Sequence, residues 1–253
     1  MANFIAITKT EFADKHWQRI SNYSFAANDT ICPLVLQELP KAQLSLPIAI
    51  AYINEQPIPV ALQSFTPNSN LLVDNNGKWI GKYIPAAYRG YPFLLANTED
   101  GKQILCFDQE YEEVGEEVFF DDSGEPSEAV TGILNFLTQV HNDRQRTQSI
   151  CKVLHEKNLI QPWAIKLKSD EGEVPVEGLF RIDEQALNAL DKDAFDEVRQ
   201  AGALPLIYCQ LLSMQHLQAL GQLATHIEKQ KPLETPDIDK LFGEGSGDQL
   251  FKF

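Results

Sequence analysis

Residues 79–95 constrain the fold of this 253-residue chain more than any other segment. Five aromatic side chains stand here among two prolines, two glycines and two cations; the aromatic residues are Trp79, Tyr83, Tyr88, Tyr91 and Phe93. Pro85 and Pro92 each lack a backbone N–H, which disfavours both a helix interior and a central strand. The segment is therefore predicted to form a shaped surface or a hinge rather than a regular element.

This aromatic segment has two interpretations. In the first it is a packing belt, with Trp79 and Phe93 in the core and the prolines shaping the turn. In the second it is a ligand site, in which the Arg89 guanidinium anchors a carboxylate and tyrosines form apolar walls. The candidate ligand-binding residues are then Trp79, Tyr83, Tyr88, Arg89 and Tyr91. Spacing alone leaves both interpretations open.

Charge and cysteine usage narrow the class of protein. Lys and Arg total 21 against 36 Asp and Glu, a net charge of -15, and this field disfavours nucleic acid and anionic membranes as partners. We find no secretory signal and no run of about 20 apolar residues that would insert into a membrane. Four cysteines lie far apart without a C-x-x-C pair, which is typical of buried, reduced thiols. These features predict a soluble cytoplasmic protein.

Periodicity predicts an α+β fold. The first half indicates an antiparallel meander, with strands at 48–53, 59–65, 70–74, 78–80, 93–97 and 103–108. A long helix at about 127–158, either continuous or with a break or kink in its polar middle at 141–148, precedes a second hairpin at 161–168 and 174–182. Asp183 and Asp191 are predicted to cap short helices, and a last long helix covers 204–228. Residues 14–24 are predicted to hold a short helix. The sheet is expected to join the meander to the second hairpin and to pack against the two long helices.

The domain organisation follows from the same pattern. Residues 1–230 are predicted to form one domain, with a β-rich half at about 1–125 and a helix–hairpin–helix half at about 126–230. Residues 231–253 are predicted to be a loop and a flexible tail. The tail ends in Leu250, Phe251 and Phe253 after a Gly/Ser spacer, a pattern that suits either a docking motif or a frayed terminus.

Recognised catalytic motifs are missing from the sequence. It holds no nucleophile elbow, no phosphate loop and no zinc-protease motif, and it identifies no cofactor and no metal site. Ten carboxylates between residues 108 and 128 do not match the ligand spacing of an EF-hand and favour a solvated acidic loop. A metal-assisted enzyme built from His141, Asp143 and carboxylates of the acidic run remains the alternative.

Several sequence blocks resemble a known bacterial family. They are Trp-Ile-Gly-Lys-Tyr-Ile-Pro-Ala-Ala-Tyr-Arg-Gly-Tyr-Pro-Phe at 79–93, Asn-Leu-Leu-Val-Asp at 70–74, Gly-Leu-Phe-Arg-Ile-Asp-Glu at 178–184, Ala-Leu-Asn-Ala-Leu at 186–190 and Gly-Ala-Leu-Pro-Leu at 202–206. In order and spacing, from about 34 to 224, the chain resembles the SapC family. This family is associated with surface-layer loci and is distinct from the peptide-transporter permease of the same name. Its members also occur beside genes for tryptophan-halogenase-like proteins and outer-membrane receptors.

The resemblance implies an accessory role and supplies no catalytic residues. The expected function is therefore a non-catalytic accessory or binding protein that recognises a small molecule or a partner peptide through residues 79–93. The alternatives are an enzyme of unknown class and a surface-layer assembly component.

Overall fold

Antiparallel strand pairs and helices of very different lengths alternate in the computed structural model, which describes residues 3–98, 101–111, 115–169 and 172–230. The strands are β1 (Phe4–Ala6), β2 (His16–Trp17), β3 (Ile31–Pro33), β4 (Ile48–Ile53), β5 (Gln56–Leu62), β6 (Phe93–Asn97), β7 (Gln103–Asp108), β8 (Glu117–Val118), β9 (Ile160–Pro162), β10 (Ile165–Ser169), β11 (Gly172–Val176) and β12 (Phe180–Ile182). The α-helices are α1 (Lys9–Phe12), α2 (Leu39–Ala42), α3 (Ala86–Arg89), α4 (Glu128–Glu156), α5 (Glu184–Asn188), α6 (Lys192–Gln200), α7 (Leu204–Ser213) and α8 (Leu217–Gln230). The predicted α+β class is confirmed.

The largest sheet joins the two halves of the chain. Its order is β3-β5-β4-β12-β9, and all of its pairings are antiparallel. The β4–β5 hairpin was predicted and turns through Asn54 and Glu55, which have φ values of 50° and 64°; two left-handed residues give the twist that a tight hairpin needs. β12 meets β4 where Phe180 faces Ile50. The tip of the second hairpin, β10–β11, forms a separate two-stranded sheet.

The predicted meander is divided rather than continuous. β6 and β7 form their expected hairpin in a second sheet with β1, and β2 pairs with β8. Residues 70–80 were predicted to contain two strands, but they form only an isolated bridge between Val73 and Trp79. The Asp74 side chain accepts hydrogen bonds from the backbone N–H groups of Asn76 and Lys78. This Asx-type turn takes the place of a regular ladder.

The long helix α4 is unbroken, so of the two alternatives for its polar middle the structure has the continuous helix. Ser127 is its N-cap, and the Ser127 hydroxyl accepts a hydrogen bond from the Val130 N–H. The helix packs against β5 and β6. Two polar residues of its middle, Asp143 and Thr147, are buried at 4% and 2% exposure. They face a neighbouring segment instead of interrupting the helix.

Two other helix predictions need correction. The last helix is not continuous over 204–228, because a 3₁₀ turn at Met214–His216 separates α7 from α8. Residues 14–24 do not form the predicted helix; α1 ends before them, and Trp17 lies in β2 with 1% exposure. The predicted caps are confirmed, since Asp183 and Asp191 accept hydrogen bonds from the N–H groups of Ala186 and Ala194.

Buried apolar side chains form the core beneath these elements. The largest cluster combines residues of β4, α2, α4 and α7, including Ile48, Leu39, Leu154 and Leu206. All four cysteines are buried and free, as expected. Within the described ranges, no helix has the length and apolarity needed to cross a membrane. The predicted tail, with its Leu250, Phe251 and Phe253, lies outside the described residues.

Candidate binding cleft

The aromatic segment begins by folding back on itself. Trp79 is 8% exposed, and its indole N–H donates a hydrogen bond to the Tyr83 carbonyl at 3.1 Å. The indole ring lies 5.6 Å from the Tyr88 ring and 5.7 Å from the Tyr23 ring. Pro85 precedes α3, which buries Ala86 and Tyr88. Tyr83 is half-buried and Arg89 is exposed.

Two tyrosines of the segment are held by internal contacts. The Tyr88 hydroxyl oxygen lies 3.0 Å from Asp29 Oδ2 and 2.9 Å from Gln63 Oε1, and burial raises the pKa of Tyr88 strongly. The Tyr91 ring stacks on Phe25 with ring centres 4.0 Å apart. These contacts support the packing interpretation for this part of the segment.

Glu38 connects the aromatic segment to residues far away in sequence. Its side chain is 5% exposed. Oε2 accepts hydrogen bonds from the Ala86 N–H at 2.7 Å and the Tyr83 hydroxyl at 2.8 Å, and Oε1 accepts one from the Val35 N–H at 2.9 Å. Desolvation raises the Glu38 pKa, although these hydrogen bonds and the charge of Arg89 oppose the shift. Both oxygens of this carboxyl group are therefore already occupied by donors within the protein.

The residues around Glu38 begin a short helical run whose first N–H groups lack partners within the run. A 3₁₀ turn at Leu36–Glu38 continues directly into α2. The side chains of α4 supply two of the missing acceptors: Thr147 Oγ1 for the Leu36 N–H at 2.9 Å, and Asp143 Oδ2 for the Gln37 N–H at 2.7 Å. The polar middle of α4 thus fixes residues 35–41 beside the helix.

An open cleft lies between these elements; its volume is about 520 Å³ when the open solvent at its mouth is included. One wall comes from α4, and the other comes from residues 35–41 and from α3 with Tyr83. The lining residues are Val35, Gln37, Glu38, Lys41, Tyr83, Ala86, Arg89, Phe136, Gln139, Val140 and Asp143. A second, narrower cleft adjoins it and shares Val35, Glu38 and Val140 with it.

Arg89 places a cation on the wall of the first cleft. Its guanidinium carbon lies 5.1 Å from the centre of the Phe136 ring and 5.9 Å from that of the Tyr83 ring. Its Nη2 donates a long hydrogen bond of 3.4 Å to the Tyr83 hydroxyl. Among the described residues, no carboxylate lies within ion-pair distance of Arg89 or of Lys41. The cleft therefore presents two cations that make no ion pair among the described residues, and two buried acidic side chains, of which Glu38 is near enough for the charge of Arg89 to lower its pKa.

Comparison with known proteins places the chain in a family. A family model described as SapC matches residues 7–220. The chain belongs to the SapC family. Neither the curated proteins nor the solved structures gave a match. The matched range contains every residue that lines the cleft, so the whole cleft lies in the part of this SapC-family protein that the family model covers.

The structure separates the five predicted site residues of the SapC-family protein. Tyr83 and Arg89 line the cleft, whereas Trp79, Tyr88 and Tyr91 are not among its lining residues. Sequence reasoning about the ligand site missed the eight lining residues that come from other segments: Val35, Gln37, Glu38, Lys41, Phe136, Gln139, Val140 and Asp143. A signal for the α4 wall was present, because Val140, Asp143, Thr147 and Ile150 continue one face of the helix.

The residues named for a metal-assisted enzyme do not converge where the structure describes them. Asp143 lines the cleft, but His141 does not, and the His141 Nε2 lies 3.2 Å from the Gln145 side-chain nitrogen. In the described part of the acidic run, Asp121 Oδ1 accepts hydrogen bonds from its own turn, at Ser123 and Glu125. The described residues contain no group of three or more His, Cys, Asp and Glu side chains placed to hold a metal ion.

Proposed function

We propose that this SapC-family protein is a non-catalytic accessory protein that binds a carboxylate-bearing small molecule or peptide end in the cleft. Arg89 is the anchor, and Tyr83 and Phe136 are the aromatic walls beside it. The observation that carries this proposal is the position of the Arg89 guanidinium, which lines a cleft without an ion-pair partner among the described residues.

The chemistry of Arg89 favours a carboxylate as its ligand. A guanidinium presents planar N–H donors that match the two oxygens of a carboxylate. The protein supplies only the 3.4 Å contact to the Tyr83 hydroxyl, so most of these donors are available to a ligand. The flanking rings of Tyr83 and Phe136 restrict the guanidinium and offer apolar surface to a bound molecule.

The Glu38 network holds this arrangement ready for binding. It ties the Tyr83 hydroxyl and the start of α3 to residues 35–38, which are themselves tied to α4. A site held by packed elements loses less conformational entropy on binding than a mobile loop does. The packing role of Trp79 and Tyr88 therefore supports the binding role of Tyr83 and Arg89.

The proposal is tested by comparing Arg89→Ala with a matched arginine variant. Binding of 3-phenylpropionate, N-acetyl-L-phenylalanine and glycyl-L-phenylalanine to the purified protein is measured by calorimetry and saturation-transfer NMR. We expect the wild type to bind at least one of them and Arg89→Ala to lose at least about tenfold in affinity, because hydrogen bonds between charged partners are lost.

Arg144→Ala is the control, since Arg144 is also an exposed arginine of this region but lines only the second cleft. It should bind like the wild type. Circular dichroism should show that Arg89→Ala remains folded, because the side chain is exposed and makes one long hydrogen bond. Equal affinities for the two variants, or no binding of any of the probes to the wild type, would contradict the proposal.

A further inference from the structure

Asp143, in the wall of the cleft, carries a buried acceptor that the fold does not use. Its side chain is 4% exposed and lines the cleft. Oδ2 accepts the hydrogen bond from the Gln37 N–H, whereas Oδ1 is buried and has no hydrogen-bond partner among the described residues. A buried acceptor left without a donor costs free energy. A ligand donor that reaches this oxygen would therefore gain a hydrogen bond without breaking one within the protein.

The other buried acid of the cleft does not offer this opportunity. Glu38 accepts three hydrogen bonds from within the protein, and both of its oxygens are engaged. The two acids therefore differ in role although both are buried. Glu38 holds the walls together, and Asp143 keeps one oxygen for another partner.

We propose that the ligand of the cleft is an α-amino acid, with its ammonium group on Asp143 and its carboxylate on Arg89. This inference rests on the proposed function, which assigns the carboxylate to Arg89. An ammonium group supplies three donors and a positive charge, and a carboxyl oxygen is the partner that both favour.

The charge of the whole protein supports a zwitterion over a simple acid. A net charge of -15 repels a small anion as it approaches, whereas a zwitterionic amino acid has no net charge and avoids this repulsion. The cleft lining contains Lys41 and Arg89 as well as Glu38 and Asp143. Its lining thus balances two basic residues against two acidic ones, and it is walled by the rings of Tyr83 and Phe136.

The ligand class is tested on the wild type with three related probes. L-phenylalanine carries both charged groups, N-acetyl-L-phenylalanine lacks the ammonium, and L-phenylalaninamide lacks the carboxylate; the other proteinogenic L-amino acids are titrated in the same calorimetric assay. We expect at least one free amino acid to bind at least about tenfold more tightly than its N-acetyl and amide derivatives, as loss of one charge-assisted hydrogen bond requires.

Asp143→Asn then assigns the ammonium contact. The asparagine carbonyl still accepts from the Gln37 N–H, and an amide NH₂ replaces the unused oxygen, so the variant is expected to fold. It should lose the preference for the free amino acid over the N-acetyl derivative while keeping the affinity for the latter. Thr147→Val is the control, because it removes a neighbouring structural acceptor and should leave the preference intact.

The possible outcomes separate the two proposals. Equal binding of the free and N-acetylated forms to the wild type would overturn the amino-acid inference and leave carboxylate binding by Arg89 in place. Equal binding of the amide and the free amino acid would show an ammonium-only site and would overturn both. A preference that survives in Asp143→Asn would remove Asp143 from the site. If this variant does not fold, the wild-type comparison still decides the ligand class.

Discussion

Replacing Glu38 with alanine should destabilise the protein and loosen the cleft. The change removes the acceptor of two buried backbone donors, the N–H groups of Val35 and Ala86. Each hydrogen bond to a charged acceptor contributes about 1.5–3 kcal/mol, so the two together contribute about 3–6 kcal/mol. The Tyr83 hydroxyl is only partly buried and adds little, because it can turn to water.

Desolvation of Glu38 offsets part of this sum. The Glu38 pKa is raised, which means that burial of the charged form costs more than its hydrogen bonds return. We therefore expect the free energy of unfolding to fall by about 2–4 kcal/mol in Glu38→Ala. Urea unfolding, followed by tryptophan fluorescence and by far-UV circular dichroism, measures this loss.

Gln37→Ala is the matched control for this experiment. Gln37 is the neighbouring residue and also lines the cleft, but its side chain is exposed and the fold uses its backbone N–H. The free energy of unfolding should change by less than about 0.5 kcal/mol. If Glu38→Ala lost less than about 1 kcal/mol, the reasoning that Glu38 anchors the aromatic segment would be refuted.

Two further predictions concern pH and thiol reactivity. Because the folded-state pKa of Glu38 lies above its ordinary value of 4.5, the folded state binds the proton more tightly, and Glu38 contributes less stability as the pH rises through that folded pKa. The free energy of unfolding of the wild type minus that of Glu38→Gln, measured by urea unfolding at several pH values, should therefore fall as the pH rises from 4.5 towards 7. A rise of this difference over the same pH range would contradict the pKa direction. Burial raises the pKa of Cys32 and Cys151 to about 12, so both thiols should stay unreacted with iodoacetamide at neutral pH until the protein is unfolded in urea. Labelling is mapped by mass spectrometry. Rapid labelling of either thiol in the folded protein would show that burial does not protect it.

Local elements of this protein were predictable because their interactions span only a few residues. Asp183 and Asp191 cap helices through N–H groups three residues ahead, and the β4–β5 hairpin closes through two residues. Such patterns appear directly in the order of residue types. The prediction of two strands at residues 70–80 was wrong because a strand also needs a partner strand, which local residue order does not supply. These residues form a single bridge between Val73 and Trp79.

The packing half of the aromatic segment was also accessible to sequence reasoning. Aromatic residues beside prolines indicate a buried belt, and Trp79 and Phe93 are buried as that interpretation predicts. Tyr88, which was predicted to line the ligand site, is buried with them. The proposed binding site could be predicted from the sequence only in part. Arg89 and Tyr83 were named, but Phe136 on the opposite wall was not, and Asp143 was named only for the metal-assisted enzyme.

The sequence by itself therefore determined the α+β class, the helix caps, the hairpins and the family. Only the tertiary structure decided the cleft, because its contacts join residues that are far apart along the chain. The Glu38 carboxyl group meets the Ala86 N–H across 48 positions, and Asp143 meets the Gln37 N–H across 106. Local propensity does not encode such pairings, since they depend on how complete helices and sheets pack. That packing makes the polar middle of a helix one wall of the cleft.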